Sequence, residues 1–481
     1  MRTTRSIVVV VGLLAACAHD PAPVPAQPTR EGTPAGSSAA TGAPPAVPVA
    51  TPAGAGSVAS ALAADAGTGS APSPRTCGPI AASFSEPVAF STGVVKSAVP
   101  HVVGEGPGLA AFHEKLARIA RGGTAEKVRV AFYGDSQMTR DFISGAFRRA
   151  VQARFGDAGH GFVAAARPWG WYEHMDVRHD VTPKEDTPWG IFAASGRQLT
   201  DKIYGFANIA AETSRGGATT WVATAHGAAS PVGKTASSAE IFYLKRPGGG
   251  GFHVMVDGTK VEEISTESAA IEPASVLVKF PDGPHKIEAV VKGGRAVRIF
   301  GTSLERENAG IVVDSLGAGA LNYELLAHVD SPTRVAQLRE RRYDLVIFLL
   351  GTNLLGSASQ RKWVSAVLQD FKTALPDAAL MLMSPPDQGV SHTDTTSNPA
   401  VAKVASDLKE TAAAEHVLFW DFYEGMGGKG AIRAFVRTGL GEPDCVHLGF
   451  SGASLMGTRF ASEIVRGWKA YVDATPDAGC K

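Results

Sequence analysis

The segment VRVAFYGDSQMTRDF, residues 128–142, decides how the chain is read. Val128 to Tyr133 form a short apolar run, which predicts a buried strand, and the helical spacing of apolar residues in DFISGAFRRAVQARFG (141–156) predicts a helix behind it. Between them stand Gly134, Asp135 and Ser136. Asp and Ser are favoured at helix N-caps, where a side-chain oxygen accepts a free N–H of the first turn. The same loop is where an α/β sheet presents active-site groups, at the carboxyl end of a strand. Ser136 is therefore either a capping residue or a nucleophile, and the rest of the chain must discriminate.

The alternation recurs on both sides of a central stretch. GLAAFHEKLARIARGG (108–123) predicts a helix ahead of the first strand. Downstream, YDLVIFLLGTN, AALMLMSPP and HVLFWDF predict strands, and WVSAVLQDFKTAL, VAKVASDLKETAAAE and ASLMGTRFASEIVRGWKAYV predict amphipathic helices. Apolar strands alternating with helices predict a parallel sheet covered on both faces. Residues 185–308 read differently, as short alternating segments broken by Gly, Pro and Asp-Gly. Phe252, Val254 and Val256 point one way, His253, Met255 and Asp257 the other, and Asp257-Gly258 and Asp282-Gly283 read as hairpin turns. The expected class is α/β, with an antiparallel β-sandwich (185–308) inserted between two parts of one outer domain (77–184 and 309–481).

The 481 residues carry 46 basic and 46 acidic side chains, so no charge bias points to nucleic acid, and none is expected as a partner. The start, MRTTRSIVVVVGLLAACAHD, has two arginines and an apolar run from Ile7 to Ala16, which suits the core of an export signal (1–16) and is short for a membrane span. Leu14-Ala15-Ala16-Cys17 resembles the bacterial lipobox. That resemblance implies an exported lipoprotein lipidated at Cys17, with Ala18 favouring the outer membrane; membrane contact is expected through this anchor alone. Residues 17–76, after the cysteine almost wholly Ala, Pro, Gly, Ser, Thr and Val, predict an extended tether without a core. Three cysteines remain, an odd number for an oxidising compartment. Cys77 and Cys480 lie at the two ends of the folded part and form the economical pair, with Cys77–Cys445 and Cys445–Cys480 as alternatives.

Nucleophilic acyl transfer needs a hydroxyl, a base, an acid to orient the base and donors for the oxyanion. These groups are to be sought where later strands end. GIVVDSLGAGALNYELL breaks at Gly317-Ala318-Gly319-Ala320, where a glycine lets a backbone N–H approach a ligand. The next strand ends in Gly351-Thr352-Asn353, whose amide is a candidate donor or a cap. Asp444 stands three residues before His447, a spacing that can bring a carboxylate to imidazole Nδ1 and leave Nε2 free as base. His160 and the His174/Asp176 pair are too isolated to predict a metal site, and no metal or cofactor is expected. Trp169, Trp171 and Tyr172 read as core residues first and sugar-stacking residues second.

Together these stretches resemble the SGNH hydrolases, or GDSL-type esterases: Gly134-Asp135-Ser136, a glycine after the second strand, Gly351-Thr352-Asn353 and Asp444-Cys445-Val446-His447 occur in the family's order. The resemblance implies a flavodoxin-like three-layer sheet, with Ser136 as nucleophile, His447 as base and Asp444 as its orienting acid. The oxyanion donors would be the N–H groups of Ser136 and Gly319 and the Asn353 amide, with Gly317 an alternative to Gly319. Leu354 stands where the family usually has Asp. The sandwich between the first two blocks is similar to the peptidoglycan O-acetylesterase branch, whose insert resembles carbohydrate-binding modules. The expected substrate is a small ester or an acylated polysaccharide. A lipase or thioesterase, an O-acyltransferase and an inert glycan-binding lipoprotein are the alternatives.

Overall fold

The computed structural model describes residues 78–480, apart from 91–92, 105–107, 123–124 and 355–359. The expected export signal, Cys17, the tether and Cys77 lie outside the described residues. In chain order, helix α1 (Leu109–Arg121) precedes strand β1 (Lys127–Gly134), and α2 (Phe142–Phe155) follows it. Eleven strands come next: β2 (Gly161–Ala164), β3 (Val177–Thr182), β4 (Gly190–Ala193), β5 (Ile209–Thr213), β6 (Thr219–Thr224), β7 (Ala236–Lys245), β8 (Gly251–Val256), β9 (Thr259–Ser265), β10 (Glu272–Gly283), β11 (Lys286–Val291) and β12 (Val297–Glu305). The α/β pattern then resumes with β13 (Gly310–Gly317), α3 (Tyr323–Ala327), α4 (Ser331–Arg341), β14 (Leu345–Leu349), α5 (Gln360–Ala374) and β15 (Ala379–Met383). The chain closes with the hairpin β16 (Gly389–Ser391) and β17 (Asp394–Ser397), then α6 (Pro399–Ala414), β18 (Leu418–Trp420), α7 (Phe422–Met426), α8 (Ala431–Arg437) and α9 (Phe450–Ala474).

The central sheet is wholly parallel, in the order β13-β1-β14-β15-β18. Counted along the chain this is second, first, third, fourth, fifth, the order of doubly wound flavodoxin-type sheets. Both faces are buried, which explains why its strands read as apolar runs rather than as alternating ones. Val128, Val130 and Phe132 pack with α1, α2 and α9 on one face; Ala131 and Tyr133 pack with α3 to α6 on the other. That second core continues without a break into the antiparallel part, through Phe162, Phe206, Phe242 and Phe300.

The antiparallel strands form two sheets, β10-β7-β12-β5-β4 with β2 on β12, and β3-β6-β11-β8-β9. They begin at Gly161, ahead of residue 185, because β2 pairs with β12 and β3 with β6. Both early strands are short and separated by an aromatic loop, so period-two alternation is hard to see there. Asp257 and Gly258 have φ of +50° and +80° and close a two-residue hairpin between β8 and β9, as expected. Asp282-Gly283 makes no hairpin: β10 and β11 belong to different sheets, and the dipeptide marks a change of sheet. Cys480 is disulfide-bonded, while Cys445 is a buried free thiol.

A buried ionic hub locks the two parts together. Arg341 at the end of α4 donates to both oxygens of Asp314 in β13, at 2.7 and 2.8 Å, and to Ser303 Oγ at 2.9 Å, and it pairs with Glu305 in β12. Asp314 also accepts from Phe162 N at 2.9 Å and from Tyr343 Oη at 2.5 Å. Glu305 is further bridged by Arg129 and Lys127.

Candidate active site

β1 ends at Gly134, and the next three residues settle the capping question. Asp135, 1% exposed, caps the short 3-10 turn Ser136–Met138: its Oδ1 accepts from Gln137 N at 3.1 Å. Its Oδ2 accepts from Gly351 N and Thr352 N at 3.4 and 3.2 Å, tying this loop to the one after β14. Burial raises the Asp135 carboxyl above its ordinary value, and these hydrogen bonds oppose the rise. The capping role thus falls to Asp135 and leaves the Ser136 hydroxyl free to point elsewhere.

Ser136 Oγ lies 2.8 Å from His447 Nε2, and His447 Nδ1 lies 2.5 Å from Asp444 Oδ2. The other Asp444 oxygen accepts from Val446 N and His447 N at 3.0 and 2.9 Å, so the carboxylate is held by the loop it serves. That loop is closed at its base by a bridge between Gly441 and Leu448 and leads directly into α9. Burial pushes Asp444 up, but the hydrogen bond and charge of His447 outweigh it and hold the carboxyl well below the usual range. For His447 burial acts downward, and Asp444 outweighs it, leaving the imidazole above its ordinary 6.5.

The glycine alternatives separate on steric grounds. A Cβ on Gly317 would lie 2.0 Å from Met138 O, so Gly317 allows the 3-10 turn to rest on β13. Gly319 lies beyond that contact, with Thr139 Cγ2 at 3.6 Å from where a Cβ would be. Among the described residues the N–H groups of Ser136 and Gly319 have no hydrogen-bond partner. Asn353 sits in a 3-10 turn after β14; its Nδ2 donates one hydrogen to Leu321 O at 3.3 Å, which orients the amide and leaves a second hydrogen. Leu354, in the same turn, is buried.

The antiparallel part reaches the loops after β1 and β13. Ser195, just after β4, donates from Oγ to Gly319 O, and Trp169 Nε1 donates to Thr139 O at 3.1 Å. Tyr172 is buried, accepts from Ala164 N at 2.8 Å and stacks edge-on against Trp169, whereas Trp171 is 54% exposed. The Ser195 and Trp169 hydrogen bonds carry no signal in a single sequence, because each joins residues distant in the chain.

Asp141, His160 and His174 do meet, in a buried cluster whose ligating atoms lie within 4.8 Å of one another. The Asp141 oxygens are already engaged, one by Arg148 at 2.6 Å and the other by Met175 N at 2.6 Å, and His160 Nε2 faces His174 Nδ1 at 3.1 Å. A guanidinium on the carboxylate suits a hydrogen-bonded core network better than a cation. Burial lowers His174 and His179 to about 3, which keeps both rings neutral. Asp176 turns away from His174 to pair with Arg149 at 2.7 Å.

No family model matches the chain, and no curated protein matches it in sequence. Solved structures do. One described as a peptidoglycan O-acetylesterase aligns with a TM-score of 0.64 at 19% identity, covering 77% of this chain and 99% of its own. Family two carbohydrate esterases from Clostridium thermocellum and Cellvibrio japonicus align with TM-scores of 0.25 and 0.23, at 12% and 10% identity. They cover 58% and 62% of this chain and 100% and 99% of their own. The fold is SGNH hydrolase-like, an α/β parallel sheet with additional antiparallel sheets.

Proposed function

We propose that the protein is a serine esterase that removes small acyl groups, acetyl above all, from a cell-envelope or extracellular polysaccharide. The observation that carries this reading is the continuous chain Asp444–His447–Ser136, joined at 2.5 and 2.8 Å at the carboxyl edge of the parallel sheet. His447 Nε2 takes the Ser136 proton as Oγ attacks the ester carbonyl, and returns it to the leaving alcohol; water repeats the cycle on the acyl-enzyme. Asp444 fixes the tautomer and stabilises the imidazolium. The oxyanion is received by the free N–H groups of Ser136 and Gly319 and the second hydrogen of the Asn353 amide. A glycan ester is favoured by the fold shared with a protein described as a peptidoglycan O-acetylesterase. Export and lipidation at Cys17 belong to the same reading, supported by the apolar run before Leu14-Ala15-Ala16-Cys17.

Two measurements bear on the assigned groups. Because His447 must be neutral to act as base, kcat/KM is expected to fall as pH drops through a midpoint above 6.5; a profile flat down to pH 5 would contradict the assignment. Asn353→Ala should lower kcat about 10²- to 10³-fold with little change in KM, read on p-nitrophenyl acetate. The substrate class is tested by acetate release from O-acetylated peptidoglycan, acetylated xylan and chitin. Release from none of them, or faster turnover of octanoyl than acetyl esters, would overturn the acetyl-polysaccharide reading.

A further inference from the structure

The residue after the nucleophile is a glutamine, 7% exposed, whose side chain crosses to the histidine loop. Gln137 Nε2 donates to Val446 O at 2.8 Å, and Gln137 Oε1 accepts from Leu448 N at 3.2 Å. One carboxamide thus grips the two residues that flank His447. Its own backbone is pinned as well, since Gln137 N donates to Asp135 Oδ1. Among the described residues, the hydrogen bonds that join segment 134–141 to segment 441–450 are these two and the Ser136–His447 contact itself.

We infer that Gln137 is a positioning residue that sets the distance and angle between Ser136 Oγ and His447 Nε2. Asp444 fixes the rotation of the imidazole from within its own loop, and α9 packed on α2, with Phe450 against Phe142, seats that loop near Ser136, but none of the loop's own hydrogen bonds sets the register between His447 and Ser136. The Gln137 carboxamide does so, because Ser136 is its covalent neighbour and His447 lies between the two groups it holds. A planar amide with one donor and one acceptor side matches a carbonyl and an N–H two residues apart, and no other uncharged side chain of this length offers both. Proton transfer falls off steeply with misplacement, and an error of about 1 Å lowers a rate about 10²-fold.

This role rests on the reading of Ser136 and His447 as the ester-cleaving pair, and the experiment separates the two. Gln137→Met keeps the length of the side chain and removes both hydrogen bonds. It should lower kcat on p-nitrophenyl acetate about 10²-fold, leave KM within about twofold, and slow covalent labelling of Ser136 by a fluorophosphonate to the same degree. Gln137→Glu supplies the signature that general destabilisation would not produce. One carboxylate oxygen still accepts from Leu448 N, while the other meets the Val446 carbonyl and can bind it only when protonated. The ratio of this variant's kcat to that of the wild type should therefore be highest at the acid end of the working range and fall as pH rises. A negative charge acting merely by raising the His447 pKa would make the ratio rise instead. Wild-type kcat in folded Gln137→Met, or a ratio for Gln137→Glu that is flat or rises with pH, overturns the inference. If Ser136→Ala retains activity, the reading beneath it falls; if Ser136→Ala is inactive while both Gln137 variants behave as wild type, the clamp alone falls.

Discussion

Ser136→Ala is expected to lower kcat/KM on p-nitrophenyl acetate by about 10⁴- to 10⁶-fold and to abolish labelling by a fluorophosphonate probe. The magnitude follows from what remains. Removing the nucleophile of a hydroxyl–imidazole–carboxylate unit disables the unit, because the base then has no proton to take and the carboxylate no imidazolium to stabilise. Ordered donors can still polarise the carbonyl for attack by water, so a residue of catalysis about 10³-fold above the uncatalysed reaction survives. Folding should be untouched: capping of the 3-10 turn belongs to Asp135, and the Ser136 hydroxyl makes its hydrogen bond to His447. Loss of activity with an unchanged unfolding midpoint is the expected pair of results. Activity within tenfold of wild type would remove Ser136 from the mechanism.

Arg341→Met should destabilise the protein by about 3–5 kcal/mol, measured as a shift of the urea midpoint at constant slope. Arg341 is 2% and Asp314 0% exposed, so the substitution strands a carboxylate where water cannot solvate it. For Arg341 burial acts against the charged form, and Asp314 and Glu305 outweigh it, holding the guanidinium well above its usual value. Truncating one member of such a pair does more damage than replacing both. Combined with Asp314→Asn, Arg341→Met should be less harmful than the sum of the two single changes. Glu305 retains Arg129 and Lys127 as partners, so Asp314 carries most of the loss. A shift under 1 kcal/mol would show that the hub relaxes around the missing guanidinium.

Much of this arrangement is legible along the chain, and the divide between what is and what is not has a physical basis. The strands of the parallel sheet announce themselves as apolar runs because they are buried on both faces. Ser136 and Asn353 stand where strands end, and His447 stands in the loop before the last helix, so once these elements are recognised the candidate site follows. Burial of β2 and β3 in the antiparallel sheets depends instead on partners remote in the chain, β12 and β6, and the loop between them shows no period. Gly317 and Gly319 are indistinguishable as letters; only the backbone of Met138 lying on the first separates them. Gln137 stands beside Ser136 in plain view, yet its reach to Val446 and Leu448 exists only when the two loops have met.

The antiparallel part enters and leaves the central sheet at one point. β2 and β12 are hydrogen-bonded to each other, Gly161 opposite Leu304, just where the chain departs from the α/β layer and returns to it. Closing a flexible loop carries an entropy that grows by about 0.6 kcal/mol for each doubling of its length. β1 and β13 are direct neighbours in the sheet, so with the intervening chain unstructured their pairing would bear the full penalty of the long excursion between Gly134 and Gly310. With β2 on β12 the excursion is tied off at its neck, and the sheet bears little more than the closure of a short connection. The parallel sheet is therefore spared part of that closure cost while the interruption is itself folded. Cooperativity between the two parts is built into the path of the chain as well as into their shared core.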